Sequence, residues 1–114
     1  MQNCLFCSIV RKEIHTEILY ENKKILAFND ISPQAPVHIL LIPKKHISTL
    51  NDLTENEKEL VGDLIYNASV LADKKGISEN GYRVGFNCNK DGGQTVYHVH
   101  LHLLGGREFG WPPG

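Results

Sequence analysis

Apolar and polar positions along this chain follow two rhythms. Short apolar runs at Ile18–Tyr20 and Ile25–Asn29 flank the polar stretch Glu21-Asn22-Lys23-Lys24, the pattern of a β-hairpin. Val37–Ile42 is apolar apart from His38 and is bounded by Pro36 and Pro43, which predicts a central strand covered on both faces. A longer period follows, with Leu60, Val61, Leu64, Ile65, Ala68, Leu71 and Ala72 recurring at helical spacing. Thr54 and Glu57 form a T-x-x-E capping box ahead of that helix, and Gly76 supplies its stop. Tyr82–Asn87 and Val96–Leu104 then read as two further strands, separated by a polar turn at Asp91-Gly92-Gly93. Strands, one long helix and more strands predict an α+β domain with an antiparallel sheet.

The chain has 114 residues and no repeat or low-complexity run, so 1–114 is expected to be a single domain. Its 12 Lys and Arg nearly balance 13 Asp and Glu, which argues against a broad basic face for nucleic acid. Any anion must be held locally. Residues Met1 to Val10 lack the apolar core of a signal peptide, and the longest apolar stretch, Val37–Pro43, is too short to cross a bilayer. A cytoplasmic protein without a membrane partner is expected. Three cysteines, Cys4, Cys7 and Cys88, are an odd number in such a chain, so metal ligation or reduced thiols are favoured over a disulfide framework.

The chemistry concentrates at His98, His100 and His102, which alternate with Val99, Leu101 and Leu103. Alternate residues of a strand share a face, so one face carries imidazole and the other hydrocarbon. Histidines that merely fill a polar sheet face are the bland alternative, and Ser or Thr would do that at lower cost. Stacked imidazoles either ligate a catalytic metal or provide a nucleophile with assisting donors. Just upstream, Gly92, Gly93, Gln94 and Thr95 offer backbone N–H groups and side-chain donors of the kind that hold phosphate oxygens. Phosphate beside neutral imidazole favours nucleophilic catalysis, because imidazole attacks well near pH 7 and the phospho-imidazole product hydrolyses readily.

The stretch His98-Val99-His100-Leu101-His102-Leu103-Leu104 resembles the H-φ-H-φ-H-φ-φ signature of the histidine-triad superfamily. Asn29–Pro36, Ile42–Ile47, Asp91–Gln94, Gly105-Gly106-Arg107 and Trp111-Pro112-Pro113-Gly114 extend the resemblance to the Hint branch over nearly the whole chain. That resemblance implies a sheet of about five strands with one long helix, extended across a homodimer. It also implies a purine nucleoside phosphoramidase, which hydrolyses the bond between the α-phosphate of AMP or GMP and an amine through a nucleotidyl-histidine intermediate. By similarity His100 is the nucleophile, His102 a donor to a phosphate oxygen and His98 the third catalytic histidine. Gly93, Gln94 and Thr95 correspond to the phosphate and leaving-group loop, where most Hint proteins carry Ser in place of Thr95. Asp30 matches the carboxylate that accepts from the ribose hydroxyls, a role suited to a bidentate acceptor, although a turn residue before Ser32-Pro33 would look the same. Asn87 and Ile31 match nucleotide contacts, and Phe6, Ile9 and Phe28 match the base pocket; ordinary core packing would place the same residue types there. His38 ranks below the triad, near the leaving group, since a lone strand histidine is more often structural. Trp111 lies in a Gly- and Pro-rich tail that in the family crosses to the partner subunit, and fraying is its alternative.

Cys4-Leu5-Phe6-Cys7 is a C-x-x-C pair, and His46 with His98 would complete a tetrahedral Cys₂His₂ set. Many bacterial members resemble this pattern and carry structural zinc there. Thiol redox chemistry and simple burial are the other readings of the pair. A closed structural site of that kind leaves no open coordination position, so no catalytic metal is required. Three alternatives to the phosphoramidase reading stay open: dinucleoside polyphosphate hydrolysis as in the Fhit-like branch, a non-catalytic nucleotide-binding module, and a catalytic zinc held by the three histidines.

Overall fold

The computed structural model describes residues 3–114. Strands β1 (Ile18–Glu21), β2 (Ile25–Asn29), β3 (Val37–Pro43), β4 (Tyr82–Phe86) and β5 (Leu101–Gly105) form one antiparallel sheet in the order β1-β2-β3-β5-β4. The hairpin falls where the apolar runs place it, with Ile18 opposite Phe28 and a bulge before Tyr20. β3 is central, as its unbroken apolar run requires, and is covered on both faces. On one side Ile25, Ala27, Ile39, Leu41, Leu101 and Leu103 meet the long helix α2 (Lys58–Lys74) through Leu64, Ala68 and Leu71. On the other side Leu26, Phe28, Leu40 and Ile42 meet Phe6 and Ile9.

Those last two residues come from α1 (Leu5–Val10), a six-residue helix absent from the sequence reading. Too short to show a helical period of its own, it is fixed at its start by the Cys4 sulfur, which accepts from the Cys7 N–H at 3.4 Å. The capping box at Thr54 and Glu57 is present, but it caps a 3₁₀ turn, Glu55–Glu57, that runs on into α2. A second box, Thr49 with Asp52, closes another such turn just before it. Gly76, at φ +74°, follows α2 in the left-handed conformation expected of a helix stop.

Two of the expected boundaries are corrected. The last strand begins at Leu101, not Val96. Its ladder with β3 stops at Leu41–Leu101 because, beyond it, Pro43 has no N–H to give and its carbonyl is taken by the His98 ring at 2.8 Å. The Val99 N–H bonds Ile47 O instead, at 2.7 Å. The polar turn at Asp91-Gly92-Gly93 is one helical turn, α3 (Asn89–Gly92), ended by Gly93 at φ +78°.

Candidate active site

On the face that α1 covers, a cleft of about 320 Å³ lies across the sheet. Phe6, Ile9, Phe28 and Ile31 give it apolar walls, and Asp30, Thr95, His100 and His102 line it with polar groups. Eight residues singled out from the sequence therefore meet in one place. Sequence reasoning missed Leu5, Ile14, His15, Thr16 and Leu40, which line it too. Four expected residues lie elsewhere. Asn87 lines a neighbouring cavity of about 580 Å³, together with His38 and Trp111, and His102 borders both spaces. Gln94 is buried and its amide is fully engaged, donating to Ser48 O at 2.8 Å and Val96 O at 3.0 Å while accepting from the Asn89 N–H at 2.9 Å. It latches the loop rather than facing the cleft. Gly93 ends α3, and the His98 ring points to a different cluster.

Hydrogen-bond partners decide which ring nitrogens carry protons. The Nδ1 of His100 lies 2.7 Å from the His98 carbonyl oxygen, which only accepts, so Nδ1 holds the proton and Nε2 keeps its lone pair. The edge of Phe6 packs on that ring with centroids 5.1 Å apart. At His38 the order is reversed. The Gln34 backbone N–H donates to its Nδ1 at 3.0 Å, so its proton sits on Nε2 and is passed toward His102 Nδ1 at 2.9 Å. Asp30 Oδ2 lies 3.4 Å from the same Nε2. With Nδ1 of His102 accepting, the His102 proton is on Nε2. One imidazole thus offers a lone pair and its neighbour, with centroids 4.9 Å away, offers a proton.

Burial keeps these rings uncharged. It is the main cause that pushes His100 and His38 below the ordinary histidine value, opposed at His100 by the bond to the His98 carbonyl and then by the Asp30 carboxylate, and at His38 by Asp30. His102 falls to about 4 through burial and repulsion from His100 and His38.

The second cluster has metal-site chemistry. Ligand atoms of Cys4, Cys7, His46 and His98 all lie within 4.8 Å of one another. Nδ1 of His98 is 3.4 Å from the Cys4 sulfur and 3.6 Å from that of Cys7, and Nδ1 of His46 is 3.3 Å from the Cys7 sulfur. Around a tetrahedral zinc with ordinary bond lengths the S···N edge is about 3.6 Å. Each ring also turns its Nδ1 toward the sulfurs: His98 Nε2–H donates to Pro43 O at 2.8 Å, leaving the His98 Nδ1 lone pair free, and His46 Nε2 meets the Ser48 hydroxyl at 3.1 Å. Burial, followed by the adjacent Cys4, pushes the Cys7 thiol up, a penalty that a divalent cation would reverse. Asp30, His38 and His102 also cluster within metal-binding distances. There, however, the His38 Nδ1 lone pair is already taken by Gln34 and its Nε2 carries the proton, so that group is ordered for proton placement and not for a cation.

A profile of the HIT domain matches residues 11–109. The chain is 48% identical over 113 residues to an uncharacterised HIT-like protein of Synechococcus elongatus, covering 99% of this chain and 98% of that one. To the purine nucleoside phosphoramidase of Escherichia coli K12 it is 47% identical over 109 residues, 96% of this chain and 92% of the other. The crystal structure of a HIT family hydrolase from Legionella pneumophila superposes with a TM-score of 0.96 at 56% identity, covering 98% of this chain and all of that one. With a HIT-domain profile matched over residues 11–109, most of its length, this chain belongs to the HIT family.

Proposed function

We propose that residues 1–114 form one catalytic domain, a nucleotide hydrolase that cleaves the bond between the α-phosphate of AMP or GMP and an amine. The observation that carries this reading is the proton order of the cleft: an uncharged His100 with a free Nε2 beside a His102 whose Nε2 carries a proton. The name of the Escherichia coli relative, purine nucleoside phosphoramidase, supports the substrate class.

In this mechanism the Nε2 lone pair of His100 attacks the α-phosphorus. The P–N bond to the amine breaks, and the amine leaves with the bonding pair after gaining a proton from solvent water. A bond between phosphorus and the His100 ring now holds the nucleotide. Water then adds its oxygen to phosphorus and releases a proton, the ring leaves as neutral imidazole, and AMP or GMP is freed. Charge gathers on the non-bridging oxygens in both steps. His102 Nε2–H and Thr95 are the donors that answer it, each worth on the order of 3 kcal/mol of barrier. Asp30 accepts from the ribose hydroxyls, while Phe6, Ile9, Phe28 and Ile31 enclose the base. His98 contributes through its carbonyl, which fixes the His100 proton, and its ring, with Cys4, Cys7 and His46, would hold a structural zinc. Asn87 and Trp111 border the cavity on the far side of His102, where the leaving amine departs. Two thiols serving as ligands suit a reducing compartment, the cytoplasm.

A catalytic zinc on the three triad histidines is disfavoured by the ring orientations, since His98 faces the sulfurs and His102 Nδ1 accepts from His38. We further propose a homodimer joined at β4, the sheet edge on which Tyr82 and Val84 are 37% and 38% exposed. The substrate reading is tested by comparing kcat/KM for an adenosine 5′-phosphoramidate and for diadenosine polyphosphates. Faster turnover of the phosphoramidate is expected, and faster turnover of the polyphosphates would move the chain to the other activity.

A further inference from the structure

The apolar walls of the cleft stack a base but have no means of reading it. We infer that His15 and Thr16, from the loop between α1 and β1, hold the far polar edge of a purine and set the preference for purine over pyrimidine. This rests on the proposal that the cleft is a nucleotide site. His100 and His102 belong to the β5 side, and moving away from β4 the next strands are β3, β2 and β1. Three strand spacings separate β5 from β1, about 14 Å. The cleft covers that whole distance, lined by His102 at one end, Leu40 of β3 and Phe28 of β2 in the middle, and His15 and Thr16 where the chain enters β1. A phosphate at the imidazoles and a ribose at Asp30 direct the base toward that loop. A two-ring base extends its polar edge to the loop, and a one-ring base stops short.

The polar groups at the phosphate end already have tasks. Thr95, His100 and His102 line the end assigned to the phosphate, and the Asp30 carboxylate accepts from the Ser32 N–H at 2.8 Å and lies beside His38. Against this, neither His15 nor Thr16 has a hydrogen-bonded side chain among the described residues, although both line the cleft. Each provides a donor and an acceptor, which suits the mixed edge of adenine or guanine. His15 is exposed and Thr16 half-buried, so each competes with water for the base edge, and its contribution is the net gain of a solvent-accessible hydrogen bond. A neutral hydrogen bond of this kind is worth roughly two- to tenfold in affinity.

The test is equilibrium binding of AMP, GMP, CMP and UMP to the wild type and to His15→Leu, Thr16→Val and His15→Gln. We expect His15→Leu to weaken AMP and GMP about fivefold and leave CMP and UMP within twofold, Thr16→Val to act in the same direction, and His15→Gln, which keeps a donor and an acceptor, to restore purine binding. Steady-state kinetics on the matching phosphoramidates should show the change in KM and not in kcat. A purine-to-pyrimidine ratio unchanged in both His15→Leu and Thr16→Val overturns the inference, as does equal weakening of all four nucleotides. A wild type that binds none of them overturns the nucleotide reading of the cleft and this inference with it, so the two failures are distinguishable.

Discussion

His98, His100 and His102 are three identical side chains within five residues, yet each has a different task because each has a different hydrogen-bond partner. His100 is oriented by the carbonyl of His98, His102 by His38, and His98 by Pro43. Removing the proposed nucleophile should separate chemistry from binding. His100→Ala is expected to lower kcat by at least about 10³-fold while AMP affinity stays within about tenfold, measured by steady-state kinetics and calorimetry. His38 acts one step back, as a positioning residue. Loss of its proton frees the His102 ring to adopt the other tautomer, so His38→Ala should lower kcat by roughly 10- to 100-fold with little change in KM, and His38→Gln, which retains a donor, should recover part of it. The alternation of the three histidines and the Asp30 motif were legible in the sequence, because spacing alone brings alternate side chains to one face. The role of His38 was not, since it depends on the backbone N–H of Gln34, which turns toward the ring only in the folded loop.

At the scale of elements, α1 joins the Cys4–Cys7–His46–His98 cluster to the cleft. Cys4 stands at its start and Cys7 within it, while Phe6 between them packs on Phe28 at 5.6 Å, on His98 at 5.9 Å and on His100 at 5.1 Å. A cation on Cys4, Cys7, His46 and His98 would therefore hold one wall of the cleft in place. Chelation, or Cys7→Ser, is expected to lower the thermal midpoint by several degrees and weaken AMP binding, read by calorimetry, while α2 and its sheet contacts stay folded by circular dichroism. Unchanged stability after complete metal removal would contradict a structural role. Strand positions and most of the α2 stripe were readable because each repeats a period over several residues; Ile65, which shares the spacing, is exposed at the border of the stripe. The six residues of α1 repeat nothing, and the early end of the β5 ladder depends on a proline and a histidine ring that are 55 residues apart in sequence.

The molecule as a whole is one sheet with a different cover on each face, and its stability responds to acid through a group far from the cleft. Glu57 caps the turn ahead of α2, accepts from Thr54, and pairs with Lys45 at 2.9 Å with its side chain 8% exposed. Lys45 first, then Thr54, hold its carboxyl down at about 2. A carboxyl lower in the folded chain than in the unfolded one binds fewer protons when folded, so its stabilisation is complete above about pH 4.5 and vanishes as pH falls toward 2. Glu57→Gln should thus be less stable than the wild type at pH 7, with a gap in denaturant midpoint that narrows below pH 4.5 and closes near pH 2. Assembly belongs to this scale too. Charging the open edge with Val84→Glu is expected to convert the proposed dimer to monomer in sedimentation, whereas a wild type already monomeric would remove the dimer from the account. The claim on which the rest depends is covalent chemistry at His100, and the most direct measurement is intact-mass and peptide mass spectrometry after rapid quenching with an adenosine phosphoramidate. A single nucleotidyl adduct localised to the His100 peptide and missing from His100→Ala is the expected result; turnover without any adduct, or an adduct on another residue, would contradict it.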